Sequence, residues 1–325
     1  MTLGEFELID RYFRRPAADP GVVLGVGDDA ALLAPTPGHE LVLAVDMMVE
    51  GRHFLPGADP EALGHKVLAV NLSDMAAMGA RPRWALLAGA LPDSDEAWLA
   101  AFSRGLFALA DAHGVALVGG DTTRGPRNLC VTIAGEVPAG TAVRRTGALP
   151  GDDVWVSGTI GDAMLALAAM QGRTAMVEAV LAPLRERLER PRPRVALGIA
   201  LRGVASAMLD VSDGLTGDLG HILEASGVGA VVDVARIPCA EELRRRLVSG
   251  ERDLALACVL AGGDDYELCF AARSAQRERV EAAGSEAGVA VTRIGTIVPR
   301  EAGLTVRDEQ GRALPALPRA FDHFA

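Results

Sequence analysis

The chain is almost without lysine. Of its 325 residues, 31 are arginine and only one, Lys66, is lysine. Lys66 lies in an apolar helical pattern, and no glycine-rich run precedes it with the spacing of a phosphate-binding P-loop. A P-loop lysine is therefore excluded, and a Schiff-base mechanism has a single candidate.

Cysteine and long apolar runs are scarce as well. The four cysteines, Cys130, Cys239, Cys258 and Cys269, are too far apart for a CxxC metal or redox pair, so we expect reduced core thiols. The first residues carry acids where a secretion signal has a basic end, and no uncharged run approaches the length of a membrane span. These absences predict a cytoplasmic protein with no membrane partner.

Positive charge is also in deficit. Against 43 Asp and Glu there are 32 Lys and Arg, which gives a formal net charge of -11. A nucleic-acid binder has the opposite balance, so we expect no nucleic-acid partner. Hydrophobic residues make up 50% of the chain, which suffices for a substantial globular core.

The order of predicted elements indicates an α+β fold with two domains. Residues 22–29 and 41–46 have the pattern of short buried strands that each end in a carboxylate. A helix is predicted from an Asp59 cap to Gly79, and a second from about Ser94 to Gly114. Together with further strands they predict a mixed N-terminal sheet with helices on one face.

A change of composition marks the domain boundary. Residues 139–150 contain two glycines, two arginines and a proline and no long apolar run, so we interpret them as a linker. We place the N-terminal domain at residues 1–138. Residues 151–325 then form the C-terminal α/β sandwich domain, in which residues 215–226 have a helical pattern.

Aspartates recur where apolar strands end or glycine turns begin. Glycine is abundant, with 37 residues, and many of these glycines adjoin an aspartate. The clusters are Gly27-Asp28-Asp29, Asp46, Gly119-Gly120-Asp121, Asp210-Val211-Ser212-Asp213-Gly214 and Gly262-Gly263-Asp264-Asp265. One Asp-Gly pair alone is an ordinary turn, but five clusters in one chain point to a shared site. Asp74 joins them three residues after Asn71, on the same face of a helix.

Converging carboxylates repel one another unless cations lie between them. All-oxygen ligands select Mg²⁺, Mn²⁺ or Ca²⁺ over zinc, and Mg²⁺ commonly completes its coordination with substrate phosphates. The motifs therefore predict a nucleotide site. The helix opened by Ser212, Asp213 and Gly214 has an N-terminus that favours anions.

Other chemistries have weaker support. The two aspartates of DVSDG are three positions apart, whereas the dehalogenase-type phosphatase motif needs two. Ser-His-Asp hydrolysis and zinc hydrolysis are not indicated, because neither GxSxG nor HExxH occurs. For His53, a buried structural role and a ligand contact remain equally open.

Taken in order, the motifs resemble those of the thiamine-monophosphate kinase family. They are GVGDDAAL, MMVEGRHFLPGADP, HKVLAVNLSDMAAMGA, VGGDTTRGP, RRTGALPGD, LDVSDGLTGDLGHILEASGVGA, GGDDYELCF and the closing FDHF. The resemblance runs from about residue 4 to residue 324. It implies membership of the aminoimidazole ribonucleotide synthetase-like superfamily of ATP-binding proteins, in which N-terminal domains pair across a homodimer to form a β-barrel.

The resemblance also implies a set of site residues. The metal ligands would be Asp29, Asp46, Asp74, Asp121, Asp210 and Asp213, with Asp28 beside them. The ATP contacts would be Gly120, Asp121, Arg145 and Ser212. The substrate contacts would be His53 and Asp264. No residue is expected to act as a covalent nucleophile or general base.

The implied reaction transfers phosphate from ATP to thiamine monophosphate with the help of several Mg²⁺ ions. Two alternatives stay open: another ATP-using synthetase of the superfamily, and a non-catalytic Mg-nucleotide-binding protein. Three positions depart from the usual family pattern. Ala44 and Val45 replace a Ser-Thr pair, Asp264 replaces a glutamate, and Pro318 replaces an aromatic residue, with Phe321 nearby.

Overall fold

The computed structural model describes residues 4–16 and 18–319, which form two compact units. The first comprises the described residues up to Met75 and Ala80–Gly140; the second comprises Ala76–Gly79 and the described residues from Thr141 onward. The change of unit after Gly140 falls inside the predicted linker, and the domain limits themselves stay a prediction. Sequence reasoning did not anticipate that Ala76–Gly79 group with the second unit.

The first unit is built around one mixed sheet. The helices that begin in it are α1 (Glu5–Tyr12), α2 (Pro60–Ala77) and α3 (Glu96–His113). The strands are β1 (Val22–Leu24), β2 (Leu32–Leu33), β3 (His39–Val49), β4 (Arg81–Leu91), β5 (Ala116–Arg124) and β6 (Asn128–Pro138). β1 pairs with β2, and the other four strands form a sheet in the order β3-β6-β4-β5. Only β4 and β5 run parallel, so the sheet is mixed as predicted.

Both long helices begin and end at the residue types that predicted them. Asp59 Oδ1 accepts the N–H of Ala62 at 2.7 Å, which caps α2 before Pro60. Asp95 accepts two N–H groups at the start of α3, one residue later than expected. Gly114, in the left-handed conformation, ends α3.

Strand β3 corrects two expectations. Residues 41–46 were predicted as a short buried strand ending in a carboxylate, but β3 has 11 residues and Asp46 lies within it. On one face of the strand Val42 and Met48 are buried and the positions between them partly buried, whereas the odd positions from 41 to 47 are exposed. Because the exposed side chains are also apolar, the sequence of this strand resembles that of a strand buried on both faces. Likewise, strand β1 covers only 3 of residues 22–29 and is not buried.

The second unit contains a six-stranded sheet. Its helices are α4 (Asp162–Met170), α5 (Glu178–Glu189), α6 (Val195–Ala200), α7 (Leu215–Ser226), α8 (Glu241–Leu247), α9 (Arg252–Ala261) and α10 (Arg277–Glu286). Its strands are β7 (Asp153–Ser157), β8 (Ala205–Asp210), β9 (Val228–Asp233), β10 (Leu268–Ala272), β11 (Val291–Pro299) and β12 (Leu304–Arg307). The strand order is β12-β9-β11-β7-β10-β8. Every residue of β7 and β10 is buried, so these strands are covered on both faces.

The predicted α+β, two-domain architecture is confirmed, and α7 has the predicted bounds. Cys239, Cys258 and Cys269 are buried free thiols, whereas Cys130 is partly exposed. Burial raises the pKa of Cys258 to about 12, so this group stays protonated at neutral pH. Within the described chain, no helix is long and apolar enough to cross a membrane.

Candidate functional site

In the first unit, Asp46 and Asp121 lie on the two edge strands of the sheet. Asp46 on β3 is opposite Val131 of β6, and that row of the sheet continues through Leu87 of β4 to Gly120 of β5. Three inter-strand spacings separate the ends of this row, about 14 Å in all. The sheet of one chain therefore does not bring Asp46 and Asp121 together.

Gly120 fits its position because the backbone of β4 passes very close. A Cβ at Gly120 would lie 1.8 Å from the carbonyl oxygen of Leu87, and the φ of Gly120 is +153°. Only glycine can occupy this position without moving β4. The contact explains the glycine at this position, which lies within strand β5 and not at a turn as the sequence suggested. Asp121, the next residue, is exposed.

Asp29 and Asp74 come from a loop and a helix. Asp29 is exposed, and its N–H donates to Asp28 Oδ1 at 2.8 Å. Asp74 lies on α2, where Asn71 is fully buried and donates through Nδ2 to the carbonyl of Val67. The amide oxygen of Asn71 is buried without a hydrogen-bond partner. An unsatisfied amide oxygen one turn from a carboxylate suits a hard cation.

The structure fixes the tautomer of His53. The backbone N–H of Val49 donates to His53 Nδ1 at 3.0 Å. The backbone N–H of His53 donates in turn to the carbonyl of Val49, also at 3.0 Å. Because Nδ1 accepts a hydrogen bond, the ring is neutral and carries its proton on Nε2. His53 is therefore a hydrogen-bond donor at Nε2, suited to an anionic group.

In the second unit, Asp210, Ser212 and Asp213 follow one another from the end of β8 into the turn before α7. Asp218, which sequence reasoning did not single out, holds this turn from the first turn of α7. Its Oδ2 accepts the N–H groups of Ser212, Asp213 and Gly214 at 3.0 to 3.1 Å. Asp218 therefore already occupies these three N–H groups. The preference of the helix N-terminus for an anion stays a prediction.

The same turn concentrates negative charge. Burial raises the pKa of Asp218 to about 7, and the nearby charges of Asp213 and Asp210 add to the shift in the same direction. The N–H donors of Asp213 and Gly214 act against the shift without cancelling it. A group of neighbouring carboxylates of this kind provides a favourable environment for a cation.

Residues 264–266 lie directly beside this turn. Beyond the paired ends of β8 and β10, the Asp264 N–H donates to the carbonyl of Ser212 at 2.9 Å, and the Tyr266 N–H donates to that of Val211 at 2.9 Å. The predicted substrate contact Asp264 and the predicted ATP contact Ser212 are thus hydrogen-bonded neighbours.

Asp264 and Tyr266 have an unusual backbone. Their φ angles are +68° and +50°, the only positive values for non-glycine residues in the part of the chain that the structure describes. Each such residue costs on the order of 1–3 kcal/mol and persists only where its surroundings enforce it. Strain of this kind is concentrated at functional sites.

A buried polar network, missed by sequence reasoning, enforces that conformation. Asp265, 5% exposed, accepts the Gly161 N–H at 2.6 Å. Glu267, 1% exposed, accepts from Ser157 Oγ, from Arg187 at 3.0 Å and from Arg194 Nε at 2.7 Å. The sequence does contain a signal for this network, because the segment DDYE places three acids directly before an apolar strand. Acids so close to a buried strand are expected to be partly buried themselves and to need partners.

Arg145 lies in the same unit as Ser212. The carbonyl of Arg144 accepts the Met208 N–H from β8 at 2.9 Å, and Ser226 Oγ, at the end of α7, donates to the carbonyl of Arg145 at 3.3 Å. These bonds hold the exposed Arg145 segment beside the strand that leads to Ser212. Pro318 is described and partly buried, whereas Phe321 lies outside the described residues.

The predicted ligands do not form a complete metal cage in one chain. Among residues 4–16 and 18–319, no group of three His, Cys, Asp or Glu side chains is placed to hold a metal ion. The donors nevertheless suit Mg²⁺, since all are oxygen, the Asn71 amide oxygen lacks a partner, and the acids near β8 repel one another. The ligand set stays a prediction.

Comparisons with known proteins agree with the motifs. The model of the AIR synthase related protein N-terminal domain matches residues 27–137, and that of the C-terminal domain matches residues 150–307. The thiamine-monophosphate kinase of Salmonella typhimurium is 47% identical over 328 residues, covering 100% of this chain and 99% of the relative. The chain belongs to the thiamine-monophosphate kinase family. The resemblance found in the sequence is confirmed, and the prediction of a kinase is confirmed with it.

Solved structures of the family have the same fold. The crystal structure of thiamine-monophosphate kinase from Stenotrophomonas maltophilia is 48% identical, with a TM-score of 0.85, and covers 97% of this chain and 99% of that one. A structure of AaThiL complexed with AMPPCP and TMP is 30% identical, with a TM-score of 0.77, over 90% of this chain and 89% of that one. The latter holds an ATP analogue and TMP together.

Proposed function

We propose that the chain catalyses ATP-dependent phosphorylation of thiamine monophosphate to thiamine diphosphate by direct in-line transfer. Family membership supports the reaction. The observation in this structure that carries the site is the hydrogen bond between Asp264 and Ser212, which places a predicted substrate contact beside a predicted ATP contact. A relative that holds AMPPCP and TMP together is consistent with such a site.

The acceptor needs no general base. A phosphate monoester has a second pKa near 6, so its attacking oxygen is already anionic at neutral pH. His53 fits this requirement, because its Nδ1 accepts the Val49 N–H and only Nε2 donates. We infer that His53 binds an oxygen of the acceptor phosphate and takes no proton from it.

The obstacle to transfer is repulsion between phosphates. Two unit charges about 4 Å apart repel by roughly 4 kcal/mol at an effective dielectric constant of 20, and two phosphorylated substrates bring several such pairs. Mg²⁺ would neutralise this charge and align the phosphates. The residues that would hold it are Asp29, Asp46, Asp74, Asp121, Asp210 and Asp213. Arg145 would add positive charge, in a chain where arginine supplies nearly all of it.

The other part of the substrate is a cation. The thiazolium ring of thiamine is positively charged, so a carboxylate is the side chain that recognises it most directly. Asp264 supplies one, on a backbone that is held rigidly on both sides. In this proposal the N-terminal domain provides most metal ligands, and the C-terminal domain completes the nucleotide and substrate sites.

We further propose that the protein is a homodimer that pairs through the open face of the N-terminal sheet. The odd positions of β3 place four apolar side chains there, each 51 to 68% exposed: Leu41, Leu43, Val45 and Met47. Leu86 of β4 adds a fifth at 41%. A monomer rarely leaves a continuous apolar stripe in water, and a second copy offers an equally apolar surface. The predicted cytoplasmic location stays a prediction.

One assay tests the function against its alternatives. The protein is incubated with ATP, Mg²⁺ and thiamine monophosphate, and ADP and thiamine diphosphate are quantified over time. Equal amounts of both support the proposal. Turnover that occurs only with another acceptor would instead favour a synthetase of the wider superfamily. ATP binding without any turnover would favour a non-catalytic protein. Isolation of a phosphorylated protein competent to pass its phosphate to the substrate would contradict direct transfer.

A further inference from the structure

The segment from Asp264 to Glu267 alternates between two environments. Asp264 and Tyr266 are partly exposed, whereas Asp265 and Glu267 are 5% and 1% exposed. The two outward residues are also the two with left-handed backbone. The pattern separates an inward pair that fixes the segment from an outward pair that can meet a ligand.

The outward pair is joined by a hydrogen bond. Tyr266 Oη donates to Asp264 Oδ1 at 3.3 Å. Without a partner, the carboxylate of Asp264 rotates about two side-chain torsions, and each orientation directs its charge differently. The phenol restricts this rotation, since a donor directed at one oxygen fixes the plane of the carboxylate.

The inward pair prevents the segment from adjusting. Asp265 accepts the Gly161 N–H at the start of α4, and Glu267 is held by two arginines and by Ser157. The Tyr266 N–H donates to Val211. Tyr266 is therefore held at its backbone and on both sides, and its phenol group contacts Asp264.

The charge of the segment points the same way. Glu267 is neutralised by Arg187 and Arg194. Burial raises the pKa of Asp265 well above its ordinary value, which favours an uncharged acid there. Asp264 is the carboxylate of this segment that is partly exposed, and its orientation decides where a cation binds best.

We propose that Tyr266 is a positioning residue for substrate recognition, which holds the carboxylate of Asp264 in the orientation that receives the cationic ring of the substrate. The inference rests on the proposed function, because it takes Asp264 as a substrate contact. It adds a residue that does not itself bind the ring and acts only through Asp264.

The test is a double-mutant cycle on Tyr266→Phe and Asp264→Ala, with KM and kcat measured for both substrates. Tyr266→Phe removes only the hydroxyl group, and we expect the KM for thiamine monophosphate to rise roughly three- to tenfold, as for a hydrogen bond to a charged group. The KM for ATP should stay within about twofold. In the Asp264→Ala background, Tyr266→Phe should have no further effect.

The chain offers a matched control. It has two tyrosines, and Tyr12 also donates to a carboxylate, Glu96 Oε2, at 3.3 Å. Tyr12→Phe should leave both KM values unchanged. A second readout is the competition constant of a neutral-ring analogue of thiamine monophosphate, with thiophene in place of thiazolium. Tyr266→Phe should not change that constant.

The outcomes distinguish a failure of the positioning role of Tyr266 from a failure of the proposed kinase function. If Asp264→Ala raises the KM for thiamine monophosphate but Tyr266→Phe does not, or if the two effects multiply in the double variant, the positioning role is wrong and the function stands. If Tyr266→Phe raises both KM values equally, Tyr266 is merely structural. If Asp264→Ala leaves the KM unchanged, Asp264 is not the substrate contact and the inference fails with that assignment. Absence of turnover in the wild type overturns the function and the inference together.

Discussion

The Asp264 N–H donates to the carbonyl of Ser212 at 2.9 Å, which ties a predicted substrate contact to a predicted nucleotide contact through the backbone. A backbone bond of this kind does not depend on either side chain. The side chains of Asp264 and Ser212 can therefore be replaced one at a time while the two segments stay together. Each effect on KM can then be assigned to the side chain removed.

Asp264→Asn should separate charge from conformation at this site. Asparagine tolerates the left-handed conformation and keeps an acceptor for Tyr266, so the variant loses only the negative charge. We expect the KM for thiamine monophosphate to rise at least tenfold, the KM for ATP to change by less than about twofold, and Tm to stay unchanged. Asp264→Ala should raise the same KM and also lower stability by roughly 1 kcal/mol, because alanine is strained at this φ. Equal effects on both KM values in the Asn variant would argue against a substrate contact.

Asp46→Asn and Asp121→Asn should each abolish turnover with folding retained. Both substitutions preserve shape and remove the charge that a hard cation needs. Turnover and Mg²⁺-dependent ATP binding are measured, with circular dichroism as the check on folding. Asp10→Asn is the control, since it removes an exposed carboxylate on α1 that pairs with Arg14, just beyond the end of the helix. Near wild-type rates in either site variant would remove that residue from the ligand set.

The open face of the N-terminal sheet should control assembly. Val45 is 60% exposed on β3, and Val45→Glu would place a charge in the proposed dimer interface. We expect the dimer to dissociate to monomer at micromolar concentration, measured by light scattering after size-exclusion chromatography. Val248→Glu, at a residue 81% exposed in the second unit, should leave the dimer intact. A wild-type protein that is monomeric throughout would contradict the proposed interface.

These predictions also show where sequence patterns suffice. The caps of α2 and α3, the bounds of α7 and the two-domain α+β fold follow from local signals that the tertiary structure does not override. Strand β3 was misjudged because its exposed face is apolar, and hydropathy alone does not separate a protein interface from a core. Asp218 was missed because its role depends on three backbone N–H groups that only the folded turn brings together.

The network around Glu267 was hidden for a related reason. Its partners Ser157, Arg187 and Arg194 lie 110, 80 and 73 positions away in the chain. No spacing rule connects residues so distant, although a charged side chain beside an apolar strand does indicate that some partner exists. The residues predicted to face a ligand carry local sequence motifs, whereas the residues that hold them in place are brought together only in the folded chain.

Gly158→Ala should be strongly destabilising. A Cβ there would lie 2.0 Å from the carboxylate of Glu267, which is 1% exposed and held by two arginines, so it cannot move aside. We expect a loss of about 3 kcal/mol or more in the free energy of unfolding, measured with urea. Gly172→Ala is the matched control, because its φ is similarly positive at +71° but no atom lies within 4 Å of the added Cβ. It should cost only about 1 kcal/mol. Equal losses would show that backbone conformation, and not the network, sets the requirement for glycine.

The buried acid Asp265 should give the protein a stability that falls with rising pH. Burial raises the pKa of Asp265 well above its value in the unfolded chain, so the folded state binds more protons between those two pKa values. Under that condition the free energy of unfolding decreases as pH rises, and the contribution is lost as pH passes through the folded pKa. Asp265→Asn cannot ionise and still offers an oxygen to the Gly161 N–H. We therefore expect this variant to gain stability relative to the wild type as the pH of urea unfolding is raised from 5 to 7 to 9. A constant difference between wild type and Asp265→Asn across the three pH values would mean that Asp265 titrates normally in the folded protein.

The carboxyl of Asp19 should show the opposite dependence on pH. Desolvation raises its pKa, but its hydrogen bonds with Arg83 and Gly21 outweigh desolvation, so the net effect is a lowered pKa. The stability that Asp19 contributes should therefore be lost toward acidic pH, and in urea unfolding Asp19→Asn should regain stability relative to the wild type as the pH falls below about 4.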